Sequence, residues 1–359
     1  MHVRIDEPSW WYGTPPGAAP GVLPGVVAGC LSPLAALYGW MARARYTGTE
    51  PHHSRLPVVC VGNLTAGGTG KTPLTLHLCE LLKAGGRRPA VLTRGYGGRL
   101  AGPHWVTEGD SADAVGDEAL LLARAAPTLV AHDRAAGARM IEEAIVAGDA
   151  AAADAIVMDD GLQNPQLAKD LTIAVVDGTR GLGNARVMPA GPLRAPLAFQ
   201  LGLADAIVIN ASAPDAGNAV AGWLGQRFSG PILRCVTVVA GDAGWLRGQR
   251  AIAWAGIGAP QRFFAMLRSL GADVVETIAF RDHQRLDEAD AQRLLAVARR
   301  RDAALVSTAK DMARLKGATG VLAELAASTR ELPIRLHFAG PNAERLAALL
   351  SDALMAVDR

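Results

Sequence analysis

Cysteine is scarce in this 359-residue chain, and Cys30, Cys60, Cys79 and Cys235 stand at no paired spacing. That argues against a zinc site and a disulfide framework, and fits a reducing cytoplasm. Excess charge of one sign is missing as well: 36 Lys plus Arg face 34 Asp plus Glu, a net of +2. Nothing pulls the whole chain toward nucleic acid, so any basic surface is local. Repeats and low-complexity linkers are also missing, which excludes solenoids and arrays. What is present is apolar residue: half the chain is hydrophobic, enough for two modest cores and too long for one ordinary domain.

Charge is wholly absent between Pro8 and Ala42, and the run then meets Arg43 and Arg45. A secretory signal would run from positive charge straight into the apolar part, whereas here Asp6 and Glu7 stand immediately before it and Arg43 and Arg45 follow. Prolines and glycines interrupt the stretch expected of a full span of about 20 apolar residues. Within it, Val26, Cys30, Leu34, Leu37 and Met41 recur at helical spacing between residues 26 and 46, with Trp40 and Tyr46 as interfacial types. The segment reads as a helix lying on a membrane surface, its arginines toward anionic headgroups. Periodicity alone leaves two alternatives open: a helix packed on the protein, and a true span.

The short apolar run Val58–Val61 leads into Gly62-Asn63-Leu64-Thr65-Ala66-Gly67-Gly68-Thr69-Gly70-Lys71-Thr72, followed by a leucine-rich helical pattern. Strand, glycine loop and helix in that order make a phosphate cradle of inward N–H groups at a helix N-terminus. Residues Thr65, Ala66, Gly67, Gly68, Thr69, Gly70, Lys71 and Thr72 are the expected nucleotide contacts. Lys71 reaches the β- and γ-phosphates of ATP and the Thr72 hydroxyl binds Mg²⁺. Pro73 falls in the first helical turn, where its missing N–H has no internal use. The usual G-x-x-x-x-G-K-[ST] pattern has glycine where this chain has Thr65, a departure that Gly67 and Gly68 offset.

Ala155-Ile156-Val157-Met158-Asp159-Asp160 is an apolar run ending in two carboxylates, as expected of a buried parallel strand with functional groups at its carboxyl end. Asp159 is the expected magnesium partner, and Asp160 holds water or positions substrate. A guanine-reading N-K-x-D run is missing, since Asn210 is followed by alanine and Thr308-Ala309-Lys310-Asp311 has the wrong spacing. Strands near 58–61, 90–93, 128–131, 155–159, 172–176 and 206–210 alternate with helical patterns. They predict an α/β fold with a doubly wound parallel sheet of the P-loop NTPase kind. The expected organisation is a membrane-associated segment over residues 1–50, a P-loop nucleotide domain over 51–228, and a smaller α/β domain over 229–359.

Further motifs stand in a specific order: Arg94-Gly95-Tyr96-Gly97-Gly98, Val115-Gly116-Asp117-Glu118, Asp159-Asp160-Gly161-Leu162-Gln163, Val187-Met188-Pro189-Ala190-Gly191-Pro192-Leu193-Arg194, Phe280-Arg281-Asp282-His283 and Thr308-Ala309-Lys310-Asp311. With the phosphate loop, this series resembles the tetraacyldisaccharide 4'-kinases of lipid A biosynthesis, over the chain from its apolar leader to near residue 315. It departs from their pattern at Asn164, Ala195 and Ala309. The resemblance implies transfer of the ATP γ-phosphoryl group to the 4'-hydroxyl of a tetraacylated glucosamine disaccharide 1-phosphate. It places the enzyme, peripheral or singly anchored, at the cytoplasmic face of the bacterial inner membrane, with no nucleic acid or protein partner.

By that resemblance Asp117 is the general base, His283 orients it and tunes its proton affinity, and Lys71 completes the catalytic set. Taken alone, Asp117 reads as a helix N-cap and His283 as a turn histidine. Arg94, Arg134, Asp160, Asn184 and Arg194 are the expected substrate contacts, guanidinium groups suiting a phosphate, with Arg134 and Arg194 reading equally as structural ion-pair partners. Arg94 in its glycine run reads equally as part of a tight turn; Lys310 and Asp311 are candidates to approach nucleotide or acceptor, with a solvated helix start as the plainer reading. The rival for the whole chain is a membrane-associated P-loop ATPase switch.

Overall fold

The computed structural model describes residues 7–13, 21–146, 153–213 and 215–357. Residues 1–6 and 14–20 of the expected 1–50 segment lie outside that description. Thirteen strands occur among the described residues: β1 Val58–Asn63, β2 Pro89–Thr93, β3 His104–Trp105, β4 Thr128–Val130, β5 Ala155–Asp159, β6 Leu171–Asp177, β7 Ala206–Ala211, β8 Ile232–Val239, β9 Arg250–Ala255, β10 Asp273–Ala279, β11 Ala304–Thr308, β12 Thr329–Leu332 and β13 Ile334–His337.

The chain divides into two compact units, and neither is contiguous. The first takes Met1–Leu92, Asp133–Thr237 and Leu336–Arg359; the second takes Thr93–His132 and Val238–Arg335. This differs from a division at residues 228 and 229 in two places, each with a packing reason. Val115, Ala119 and Leu120 share a buried cluster with Val130 and Ala313, which ties residues 93–132 to the later part of the chain. Leu336, Phe338, Leu346 and Leu350 share a core with Val59, Leu74 and Ile173, which returns the chain's last helix, Pro341–Val357, to the first unit.

In the first unit the strand order is β13-β8-β7-β6-β1-β5-β2, and the pairs from β8 through β2 are parallel. Its strands β1, β5, β6 and β7 are buried along their whole length and read as apolar runs because both faces are covered. Along β6, Leu171, Ile173 and Val175 enter one core while Ala174 and Val176 enter the other. β7 divides likewise, Ala206 and Val208 against Ile207 and Ile209, as the two-residue period of a strand requires. β8 extends the sheet past the last strand expected from sequence, because Arg234 and Thr237 interrupt its apolar run. β1 lies between β5 and β6, with Val61 in register with Asp159, so the loops leaving β1 and β5 emerge side by side.

The helix Val22–Thr47 is longer than the 26–46 segment read from periodicity, and carries Pro33 inside it. Its small residues Ala28, Ala35 and Gly39 are buried, Gly39 against Pro196 and Val187. Val22, Leu23, Val26, Leu34, Leu37, Trp40 and Met41 stay exposed. The helix therefore packs on the protein by a narrow stripe of small residues and keeps its large apolar residues outside.

In the second unit a parallel sheet runs β10-β9-β11-β12, and β3 pairs antiparallel with β4. β9 sends Ala251, Ala253 and Ala255 to a core with Phe263, Phe264 and Leu267 of the helix Pro260–Ser269. Ile252 and Trp254 point the other way, to Leu294 and Leu295 of the helix Glu288–Arg301.

Candidate active site

Two clusters of functional side chains are built, one in each unit. In the first, β1 ends at Asn63 and the helix Lys71–Ala84 begins immediately after Gly70. Gly70 has φ +100°, and a Cβ there would run into the Asn210 side-chain amide, so only glycine fits this turn. Position 65 makes no such demand. Thr65 is buried and bridges antiparallel to Leu193, while Ala66 N–H donates to the Pro192 carbonyl and Arg194 N–H to the Leu64 carbonyl. The residue that departs from the usual glycine pattern sits in paired, extended chain, which any side chain tolerates. The Pro189–Arg194 motif is thereby the strap holding the start of the phosphate loop. Asn184 supports that strap, donating from Nδ2 to the Ala190 carbonyl at 2.9 Å.

Asp159 is fully buried at the end of β5 and accepts the Thr75 hydroxyl at 2.9 Å. Asp160, at φ +52°, accepts Arg194 Nη1 at 2.7 Å and lies 3.8 Å from Lys71 Nζ. Burial raises the Asp160 carboxyl, but the charges of Arg194 and Lys71, the Arg194 hydrogen bond and the Arg134 charge outweigh it and hold it well below the carboxylate range. Arg134 is 2% exposed, and its Nη2 reaches toward the Asp159 carbonyl. Its geometry is that of a support beneath the carboxylate pair, unlike the substrate contact expected of it. The Thr72 hydroxyl and the two aspartates are hard oxygen donors, which fit Mg²⁺ in chemistry.

The sequence reading missed one contribution. Glu7 pairs with Arg180, whose guanidinium lies 3.8 Å over the Tyr12 ring. A side chain at Gly67 would meet the Glu7 carboxylate. Trp11 is buried and donates from Nε1 to the Pro189 carbonyl at 3.3 Å. These residues precede every motif, and nothing in their local pattern announces a long-range contact.

The second cluster centres on Asp117, the first residue of the helix Asp117–Ala123. It is not the N-cap; that position is Gly116, at φ +90°, where a Cβ would strike the Tyr96 carbonyl. A Cβ on Gly98 would likewise strike the Val115 backbone. The two glycine motifs, 94–98 and 115–118, thus form one backbone-to-backbone contact that presents Asp117. The Asp117 side chain is 4% exposed. Oδ1 accepts from Glu118 N–H at 2.9 Å, Oδ2 accepts Arg314 Nε at 2.6 Å, and both oxygens lie 3.0 Å from His283 Nδ1. Burial raises this carboxyl, yet the hydrogen bond from His283 and the surrounding charges, Lys310 and Arg314 among them, bring it well below its ordinary range.

His283 sits at φ +58°, with Tyr96 edge-on to its ring at 5.1 Å. Lys310 Nζ lies 3.0 Å from His283 Nε2, 3.0 Å from Glu118 Oε1 and 3.3 Å from Asp282 Oδ1. Burial lowers the Lys310 ammonium, but Glu118, Asp282 and Asp117 outweigh it and raise it. Asp311 is buried and accepts from Gly256 N–H at 3.0 Å and from Arg314 Nη1 at 2.7 Å. Lys310 and Asp311 are therefore parts of a built network and not a solvated helix start. Arg94, by contrast, is exposed at the end of β2.

A glycine loop on β1, neighbouring carboxylates on β5 of a doubly wound sheet, and a buried carboxylate–imidazole pair together define a P-loop kinase. The sequence model of the tetraacyldisaccharide-1-P 4'-kinase family matches residues 27–354, and the chain belongs to that family. It is 47% identical over 323 residues to the tetraacyldisaccharide 4'-kinase of Methylobacterium nodulans, covering 89% of this chain and 90% of that one. To the Rhodospirillum centenum protein of the same name it is 44% identical over 348 residues, 96% of each. Among solved structures, the LpxK of Aquifex aeolicus in complex with ATP shares the fold with a TM-score of 0.68 at 24% identity, over 91% of this chain and 99% of that one.

Proposed function

We infer that this enzyme transfers the γ-phosphoryl group of ATP to the 4'-hydroxyl of a tetraacylated glucosamine disaccharide 1-phosphate. Family membership supports the reaction, and the buried Asp117–His283 pair is the observation that carries it onto these residues. A nucleotide switch that only moves between partners has no use for a preformed base, so the ATPase reading is not favoured.

In the reaction the sugar oxygen attacks the γ-phosphorus, the bond to the β-phosphate bridging oxygen breaks, and ADP leaves. The hydroxyl proton goes to the Asp117–His283 couple. The first unit serves the donor: backbone N–H groups of residues 65–72 cradle the phosphates, and Lys71, aimed by Asp160, meets their charge. Thr72 and Asp159 would hold Mg²⁺, which when bound neutralises charge on the β- and γ-phosphates. The second unit serves the acceptor through Asp117. Arg94, exposed in that unit at the end of β2, suits the substrate's anionic group.

The helix Val22–Thr47 supports work at a membrane surface, because its exposed face carries Leu34, Leu37, Trp40 and Met41 ahead of Arg43 and Arg45. The cytoplasmic face of the inner membrane is where ATP and such an amphiphile meet. Phosphate transfer from γ-labelled ATP to the tetraacyl disaccharide 1-phosphate in detergent tests the reading. Labelled lipid, lost in Lys71→Ala and Asp117→Ala, is the expected result; free phosphate without labelled lipid overturns it.

A further inference from the structure

The Asp117–His283 pair has its own supports, and their chemistry fixes one proton. An ionised carboxylate only accepts hydrogen bonds and an ammonium only donates them. Asp117 lies 3.0 Å from His283 Nδ1 and Lys310 Nζ lies 3.0 Å from Nε2, while Asp282 Oδ1, also on the Nε2 side, stands at 3.7 Å, beyond hydrogen-bond distance. The one neutral arrangement that satisfies both neighbours has the proton on Nδ1 and the lone pair on Nε2.

We propose that Lys310 is a positioning residue of the phosphoryl-transfer reaction, acting through His283 by holding its imidazole neutral in the Nδ1–H tautomer so that it donates to Asp117. This rests on the kinase reading above. Lys310 is itself fixed from both sides, by Glu118 of the helix Asp117–Ala123 and by Asp282 beside His283. Arg314, one turn further along the helix Ala309–Arg314, is anchored on the Gly256 carbonyl and Asp311 and donates to Asp117 Oδ2. Tyr96 meets the ring edge-on, with 5.1 Å between centroids.

Asp117 accepts from Glu118 N–H on Oδ1 and from Arg314 Nε on Oδ2, and His283 Nδ1 lies 3.0 Å from both oxygens. A ring turned to the other tautomer would present a lone pair to the carboxylate and repel it. A doubly protonated ring would set its own Nε2–H against the Lys310 ammonium.

The test is ¹⁵N NMR of the histidine-labelled full chain, with the His283 signal assigned by its loss in His283→Gln, alongside kinetics of Lys310→Gln and Lys310→Arg. In the native protein at neutral pH the signal shows Nδ1 protonated and Nε2 bare. Arginine also only donates, so Lys310→Arg keeps that pattern and stays within about threefold of native kcat. Glutamine can donate or accept, so Lys310→Gln gives a mixed or doubly protonated ring and lowers kcat about tenfold, with KM for ATP unchanged. A native ring protonated on Nε2, a glutamine variant with an unaltered ring, or an arginine variant as impaired as the glutamine one overturns the proposal. Should Lys310→Gln fail to fold, Lys310→Met replaces it, and an unaltered ring in that variant overturns the proposal. A native chain that phosphorylates no lipid overturns the kinase reading instead, and leaves the tautomer measurement intact.

Discussion

Asp117 and Asp160 are opposite cases of one principle, a carboxylate made useful by what neutralises it. Asp117 is enclosed by His283, Arg314 and Lys310, and Asp160 by Arg194 and Lys71. Removing the Asp117 charge while keeping its shape, in Asp117→Asn, is expected to lower kcat by about 10²–10⁴ with KM for ATP within about twofold. Steady-state kinetics with the lipid acceptor checks it. Both carboxyls are lowered in the folded state, so the folded protein binds fewer protons than the unfolded chain through the acid range. Their stabilisation is complete above the unfolded value near pH 4, and is lost as pH falls through the folded values. Urea midpoints measured at pH 6 and pH 3 should fall less for Asp160→Asn than for the native chain. Equal falls would mean that Asp160 contributes no such linkage.

Among the elements, the loops carry the least tolerance for change. Gly116 combines a positive φ with backbone on the side where a Cβ would stand. Gly116→Ala is expected to cost about 1–3 kcal/mol of stability and to displace Asp117, with at least a tenfold loss of kcat. Chemical denaturation and kinetics on one preparation read both. The amino-terminal helix is the opposite kind of element, with exposed large side chains that the folded unit does not need. Leu37→Glu with Trp40→Glu is expected to leave thermal unfolding unchanged and to reduce co-sedimentation with anionic phospholipid vesicles by at least fivefold, since each change removes apolar contact and adds repulsion. Unaltered sedimentation would show that this face is not what meets the lipid.

For the whole molecule, the discontinuous first unit sets what can be cut. Leu346 and Leu350 of the last helix are buried in the same core as Val59 and Leu74 beside the phosphate loop. A fragment of residues 51–228 lacks them and is expected to give no cooperative unfolding transition by circular dichroism. In the full chain, Leu346→Ala should cost about 2–5 kcal/mol by leaving a cavity, more than 100 residues away in sequence from the loop it supports.

Local pattern was enough wherever a signal lies within a few residues. The continuous apolar runs of β1, β5, β6 and β7 declared a sheet buried on both faces, and the glycine loop declared a phosphate site, because backbone turns and strand periodicity are short-range physics. Ordered motifs likewise put Asp117 and His283 forward together, although neither stood out by itself. The tertiary structure decided what depends on side chains meeting over long separations. It made Arg134 a buried support, gave Thr65 a paired extended backbone, and brought Glu7 and Trp11 to the phosphate loop and its strap. It set Lys310 against His283, and it returned Leu336, Phe338 and the last helix to the first core. None of these partners is near in sequence, and a hydrogen bond or a packed core registers distance in space alone.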